Sequence, residues 1–289
     1  MPLFCLHCLD RQDGGAALRA KARPAHLEWA VGLGDVVRMA GPLLADDGET
    51  MIGSIVHRGW QASMRQLVLG NLNYSSWSIR PLLVARHVGL PVEEVIVPLD
   101  FPDTTAKLKE ISPTAKVPLL IWDDQTVWES LAITEWIAEW AKPGQVWPED
   151  AAARAVARAA VSEMHAGFPA LRSQCPMDIR SRHAAPEMSD GLKADIARID
   201  SLWCELRERF GAGGPFLFGQ WSAADAFYTP VVTRFRTYGL PLSGPAQAYA
   251  DAVLSDPKFR VLEEQAKAEP WWIKYGPDGR SSGSLKPEG

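Results

Sequence analysis

The sequence predicts a mixed α+β domain over residues 64–142, followed by an all-helical domain over residues 150–275. Three observations carry this. An apolar run from Leu67 stops at Gly70, and after two adjacent serines an apolar-periodic segment runs from Trp77 to Val88, so a buried strand hands over to a helix. A second apolar, β-branched run, Lys116–Ile121, is followed by the turn signal Asp123-Asp124, a short strand at Thr126–Trp128 and a helix-spaced segment, Leu131–Trp140. From Asp150 onward the apolar period is helical, most clearly in Leu192–Phe210, where Ile196, Ile199, Leu202, Trp203, Leu206 and Phe210 share one stripe.

Residues 1–63 stand apart. Pro, Gly and charge alternate there with no lasting period, and this segment is expected to be a disordered extension or a mis-assigned start. Arg19, Lys21 and Arg23 hint at a targeting peptide, but Asp10 and Asp13 break the pattern and no apolar core precedes them. Cys5-Leu6-His7-Cys8 has redox-pair or half-zinc-site spacing, yet no second pair exists to complete a metal site, so no metal is expected.

Ser75 and Ser76 sit where the first strand meets the first helix. Free backbone N–H groups and the positive end of the helix dipole favour an anion there. A serine at such a junction caps the helix or holds a ligand anion, and the local sequence leaves both roles open. Pro118, inside the second apolar run, cannot donate to a sheet ladder and belongs at an edge, a strand start or a tight connection, trans or cis. Glu129-Ser130 opens the next helix with a hydroxyl and a carboxylate side by side.

Taken in order, these elements resemble the glutathione transferase family. Its first domain is thioredoxin-like, βαβ then ββα, and its second is all-helical; the segment from Met64 to about Lys142 gives the first order, and Met64 lies where members commonly begin. Ser75, Trp77 and Arg80 match the family's signature before and in the first helix, Val117-Pro118 its cis-proline loop, and Glu129-Ser130 its acidic-serine pair. The resemblance implies glutathione as co-substrate. Its thiol has a pKa of roughly 8.5, so a donor at the helix start must favour the thiolate, each unit of lowering being about 1.4 kcal/mol. Ser75 is the first choice for that donor and Ser76 the second; Ser78 is read as a cap or first-turn residue. Trp77, Lys116, Val117, Pro118, Glu129 and Ser130 are the implied glutathione contacts. Val117 would offer its main chain to the cysteinyl part, Ser130 and Glu129 would receive the γ-glutamyl carboxylate and ammonium, and Lys116 would reach the glycyl carboxylate. Arg80 is expected to be a structural partner for an acidic residue, and His165 to pack rather than react.

The second domain carries one further signature. In Gly219-Gln220-Trp221-Ser222-Ala223-Ala224-Asp225, Ser222 and Asp225 have capping-box spacing, a folding feature rather than a chemical one. Pro257 starts the last helical segment, Trp271-Trp272 close the fold, and the Gly/Ser/Pro/Lys-rich tail 276–289 is expected to be disordered.

Composition narrows the partners. A net charge of −5 with no basic cluster argues against nucleic acid, and no apolar run is long enough to span a membrane. The 47% hydrophobic content supports two real cores, and four scattered cysteines form no disulfide framework, so a cytoplasmic protein is expected. The resemblance implies a homodimer that joins glutathione to a small hydrophobic electrophile. A non-catalytic binding or scaffold protein of the same fold is the alternative. A maleylacetoacetate-type isomerase is another, although Trp77 stands where those enzymes carry cysteine. A thiol reductase would want cysteine in place of Ser75.

Overall fold

The computed structural model describes Lys21 and residues 4–9, 37–44, 51–58, 65–275 and 281–285. The chain divides into two compact units, Met1–Met64 and Arg65–Gly289. In the first unit, β1 (Phe4–Leu9), β2 (Val37–Leu44) and β3 (Met51–Arg58) form an antiparallel sheet in the order β1-β3-β2. Cys5, His7 and Cys8 fall within β1; their side chains lie outside the described residues.

The second unit opens with a four-stranded mixed sheet. Its strands are β4 (Arg65–Leu69), β5 (Glu93–Ile96), β6 (Leu119–Trp122) and β7 (Gln125–Trp128), in the order β5-β4-β6-β7. β4 runs parallel to β5 and antiparallel to β6, and β6 pairs antiparallel with β7. The helices between and after the strands are α1 (Ser76–Val88), α2 (Thr104–Ile111) and α3 (Ser130–Trp140). This is a thioredoxin-like arrangement. Alternate side chains separate the two faces of the sheet: Leu67, Leu69, Leu120 and Trp122 join the main core, whereas Val68 and Leu119 meet Val97 and Leu108 on the other.

Six helices follow: α4 (Ala151–Ala166), α5 (Pro169–Gln174), α6 (Asp190–Phe210), α7 (Ala223–Tyr238), α8 (Gly244–Ser255) and α9 (Pro257–Ala268). The expected α6 stripe is the buried face, with Phe210 half-buried at its end. α7 is buried along almost its whole length, and the fully buried Trp203, Phe227, Tyr228 and Tyr249 centre the helical core around it. Helices α1 and α3 cover one face of the sheet, and α7 packs on α1, so one core runs through both parts of this unit.

The C-terminal segment departs from the expectation for the tail. Ser281–Leu285 forms β9, paired antiparallel with β8 (Trp271–Tyr275). Gly283 makes this approach feasible: its N–H donates to the Asp100 carbonyl at 2.9 Å, and a Cβ there would come within 2.5 Å of the Phe101 ring. Gly/Ser composition signals a loop in isolation, but here it permits close packing. No helix among the described residues is long and apolar enough to cross a membrane.

Candidate active site

The sheet register assembles the site. Val68 lies opposite Leu119, and Leu119 opposite Trp128. The loop after β4, the loop before β6 and the turn after β7 therefore meet at one end of the sheet. Those three segments hold Ser75-Ser76, Val117-Pro118 and Glu129-Ser130 respectively. Topology thus brings together residues that the sequence separates by more than forty positions.

Ser75 is the N-cap of α1. Its Oγ accepts weakly from the Ser78 N–H at 3.4 Å and donates to Ser78 Oγ at 2.8 Å. Ser78 Oγ also accepts the Gly70 N–H at 2.9 Å, which ties the strand end to the helix start. The Ser76 hydroxyl oxygen accepts from Arg234 Nη2 at 3.4 Å, an arrangement that leaves its proton available to a ligand. Both serines are almost wholly buried, at 6% and 7% exposure.

The loop carrying them is held from several sides. Glu269, just past α9, accepts the N–H groups of Leu72 at 2.6 Å and Asn73 at 3.1 Å. Asn73 donates to Asp178 at 2.7 Å and accepts the Arg180 N–H at 2.9 Å. Arg180 also donates to the Tyr74 hydroxyl, the Glu269 carbonyl and the Trp271 carbonyl, and lies over the Trp272 ring. Sequence reasoning missed Glu269 and Arg180, since no local pattern marks a carboxylate that caps a loop almost two hundred residues away.

The peptide between Val117 and Pro118 is cis. The β6 ladder begins at Leu119, so the Val117 main chain lies outside it. Ser112 Oγ donates to the Lys116 carbonyl at 3.0 Å and shapes this loop, while the Lys116 side chain is exposed. Glu129, the N-cap of α3, has φ 72° and ψ 130°, a conformation that costs a non-glycine residue of order 1–3 kcal/mol. That turn presents the start of α3 with Ser130, whose side-chain oxygen is fully buried and has no hydrogen-bond partner among the described residues. The Glu129 carboxylate is exposed, with one oxygen 3.9 Å from His165 Nε2.

Arg80 corrects an expectation. Among the described residues no acidic residue pairs with it: the side chain is fully buried and none of its three guanidinium nitrogens is hydrogen-bonded. It lies instead over the rings of Trp77, at 4.2 Å, and Phe227, at 5.2 Å. Burial, followed by repulsion from Arg234 and Arg172, lowers its pKa to about 9. Two aromatic faces take the place expected for a carboxylate. His165 is half-buried with its ring edge-on to Trp77, and burial together with Arg80 lowers its pKa. Among the described residues no group of His, Cys, Asp or Glu is arranged to hold a metal ion.

The arrangement supplies main-chain edges, helix N-termini and hydroxyl donors, which suit an extended anionic peptide with a thiol. Comparison with known proteins identifies the family. The family model for the glutathione S-transferase N-terminal domain matches residues 74–140, and that for the glutathione S-transferase C-terminal domain matches residues 154–272. A probable maleylacetoacetate isomerase from Caenorhabditis elegans is 40% identical over 84 residues, 29% of this chain and 38% of that protein. Protein IN2-1 from Zea mays is 28% identical over 157 residues, 54% of this chain and 60% of that protein. The chain thus spans less than two thirds of either curated relative. The crystal structure of a glutathione transferase homolog from Burkholderia, with bound glutathione, has the same fold at a TM-score of 0.54 and 22% identity, covering 71% of this chain and 99% of that one. With the two domain models together covering more than half of its length, and a fold shared with a solved member, the chain belongs to the glutathione S-transferase family.

Proposed function

We propose that this protein is a glutathione transferase, in which serine hydroxyls at the start of α1 hold the glutathione thiolate for attack on a small electrophile. The observation that carries the reading is the meeting of three segments at one sheet end: the Ser75-Ser76 cap, the cis Val117-Pro118 loop and the Glu129-Ser130 turn. Each takes a different part of the tripeptide. The unpartnered Ser130 hydroxyl and the start of α3 receive the γ-glutamyl carboxylate, with Glu129 placed for the ammonium. Val117 pairs with the cysteinyl main chain as an added strand, and Lys116 faces the glycyl end.

At the sulfur, Ser75 and Ser76 have different starting positions. The Ser75 proton is engaged by Ser78 and must turn to serve a ligand. The Ser76 proton is not so engaged, and its oxygen already accepts from a guanidinium, which strengthens it as a donor. Thiolate absorbance of bound glutathione, followed across pH in wild type, Ser75→Ala and Ser76→Ala, separates them. Thiolate at neutral pH in wild type, lost in one variant, identifies the donor. Binding without thiolate in wild type turns the reading towards a non-catalytic binding protein.

A second reading, isomerisation of a maleyl compound, is favoured by the 40% identity to the probable maleylacetoacetate isomerase over 84 residues. It uses the same thiolate, added to a double bond and then expelled. Turnover of a maleyl substrate with glutathione recovered unchanged would select it.

A further inference from the structure

Cations gather around Trp77. The Arg80 and Arg172 guanidiniums lie over its ring, 4.2 and 4.4 Å from the centroid, and the His165 ring meets it edge-on with centroids 5.0 Å apart. From α7, Arg234 reaches the neighbouring Ser76 while also donating to the carbonyls of Cys175 and Pro230. Four cationic or protonatable groups from α1, α4, α5 and α7 therefore converge beside the proposed sulfur position. Among the described residues the opposing carboxylates are few. Glu129 is exposed and lies 3.9 Å from His165, and Glu163, two residues before His165 in α4, is engaged by Arg198 at 2.7 Å.

Gathering three guanidiniums, two of them buried, is unfavourable unless acceptors or an anion compensate. Arg80 shows the imbalance most clearly, being fully buried with no hydrogen-bond acceptor on any nitrogen among the described residues. The aromatic faces compensate in part, but they accept no N–H in the guanidinium plane. Arg172 and His165 are half-buried and form the accessible side of the cluster. Arg172 commits one nitrogen to the His165 carbonyl at 3.2 Å. A planar guanidinium fork bonds a carboxylate of a small organic molecule through parallel N–H···O contacts, each of them charge-assisted.

We propose that this cluster is an anion site beside the sulfur position, and that the second substrate carries a carboxylate, held by Arg172 and attracted by the charges of Arg80 and Arg234. The identification of that anion as the second substrate rests on the transferase reading above; the anion site does not. The carboxylates of glutathione are assigned elsewhere, to the Glu129-Ser130 turn and the Lys116 side.

The test is calorimetric titration with 3-nitrobenzoate and its uncharged match 3-nitrobenzamide, on protein free of glutathione and on protein saturated with it. Wild type, Arg172→Gln and Arg172→Lys are compared after circular dichroism confirms their fold. Nitrobenzoate should bind about tenfold more tightly than the amide in wild type, with or without glutathione, as one charge-assisted bond supplies. Arg172→Gln should abolish the preference, and Arg172→Lys should keep most of it. Equal affinities in wild type, or a preference that survives in Arg172→Gln, overturn the proposal. A preference that disappears when glutathione saturates the protein also overturns it, because the cluster then holds a carboxylate of glutathione. Failure of glutathione itself to bind would instead defeat the transferase reading, with the nitrobenzoate preference still measurable by itself.

Discussion

At the scale of single residues, Arg80 is a buried charge whose presence costs the fold. It is fully buried, makes no hydrogen bond to the described residues through any of its nitrogens and stands near two further guanidiniums. Replacing a buried charge by an apolar chain of similar length is often neutral or stabilising, whereas removing one member of a bonded pair is not. Arg80→Met loses no hydrogen bond and keeps contact with Trp77 and Phe227. It should leave urea stability within about 1 kcal/mol of wild type or raise it; a loss above about 2 kcal/mol would show that the cation–π contacts outweigh the cost of burying the charge. Legibility in the sequence divides along similar lines. Ser75, Val117, Pro118, Glu129 and Ser130 stand out because main-chain features create their roles: a cap, a proline loop and a helix start, each written within a few adjacent positions. Arg172 and Arg234 do not stand out. Their meaning comes from proximity to Trp77 and Ser76, supplied by helices that begin about ninety and one hundred and fifty residues later.

At the scale of elements, the start of α7 shows local sequence and tertiary structure in agreement. Asp225 accepts the Ser222 N–H at 2.8 Å, as the capping-box spacing predicts, and also the Leu217 N–H at 3.1 Å, which it does not. The second bond fastens the preceding turn to the helix. Burial of the carboxyl raises its pKa to about 6, although the N–H donors pull it back. The native state therefore binds this proton more tightly than the unfolded chain, whose aspartates titrate at roughly 3.9. The extra stability is present below the unfolded pKa and is lost as pH rises through about 6. At about 1.4 kcal/mol per unit, the change across that window is roughly 3 kcal/mol. Asp225→Asn removes the titration, so the stability advantage of wild type over the variant should shrink as pH rises through this window. Urea unfolding at several pH values in the window checks this, and parallel curves for the two proteins would refute it. The elements themselves were legible where a periodic stripe met a turn signal, as in α1, α3 and α6. β9 was not, because its pairing depends on Gly283 fitting against Phe101, and a Gly/Ser-rich segment carries no apolar period.

At the scale of the second unit as a whole, its C-terminal part is fastened to the proposed sulfur-binding loop. Glu269 takes the N–H groups of Leu72 and Asn73, and Arg180 joins Tyr74 to the carbonyls of Glu269 and Trp271. The thioredoxin-like part thus does not set the position of Ser75 alone: the segments following α5 and α9 hold the turn that delivers Ser75 to the start of α1. On the proposed reading, such a clasp would link glutathione binding to the integrity of the helical part. Glu269→Ala leaves two N–H groups in a buried turn without an acceptor, which should cost about 1–3 kcal/mol of stability. Glu269→Gln retains one accepting oxygen and should recover part of that loss. If the turn positions the proposed sulfur-binding serines, glutathione affinity should fall in Glu269→Ala and return partly in Glu269→Gln, although neither side chain touches the proposed ligand. Urea unfolding and glutathione titration on the same samples compare the two effects. Stability lost with affinity unchanged would make the clasp a fold element only. A fall in affinity that follows the number of acceptors kept would show that the helical part helps to build the site.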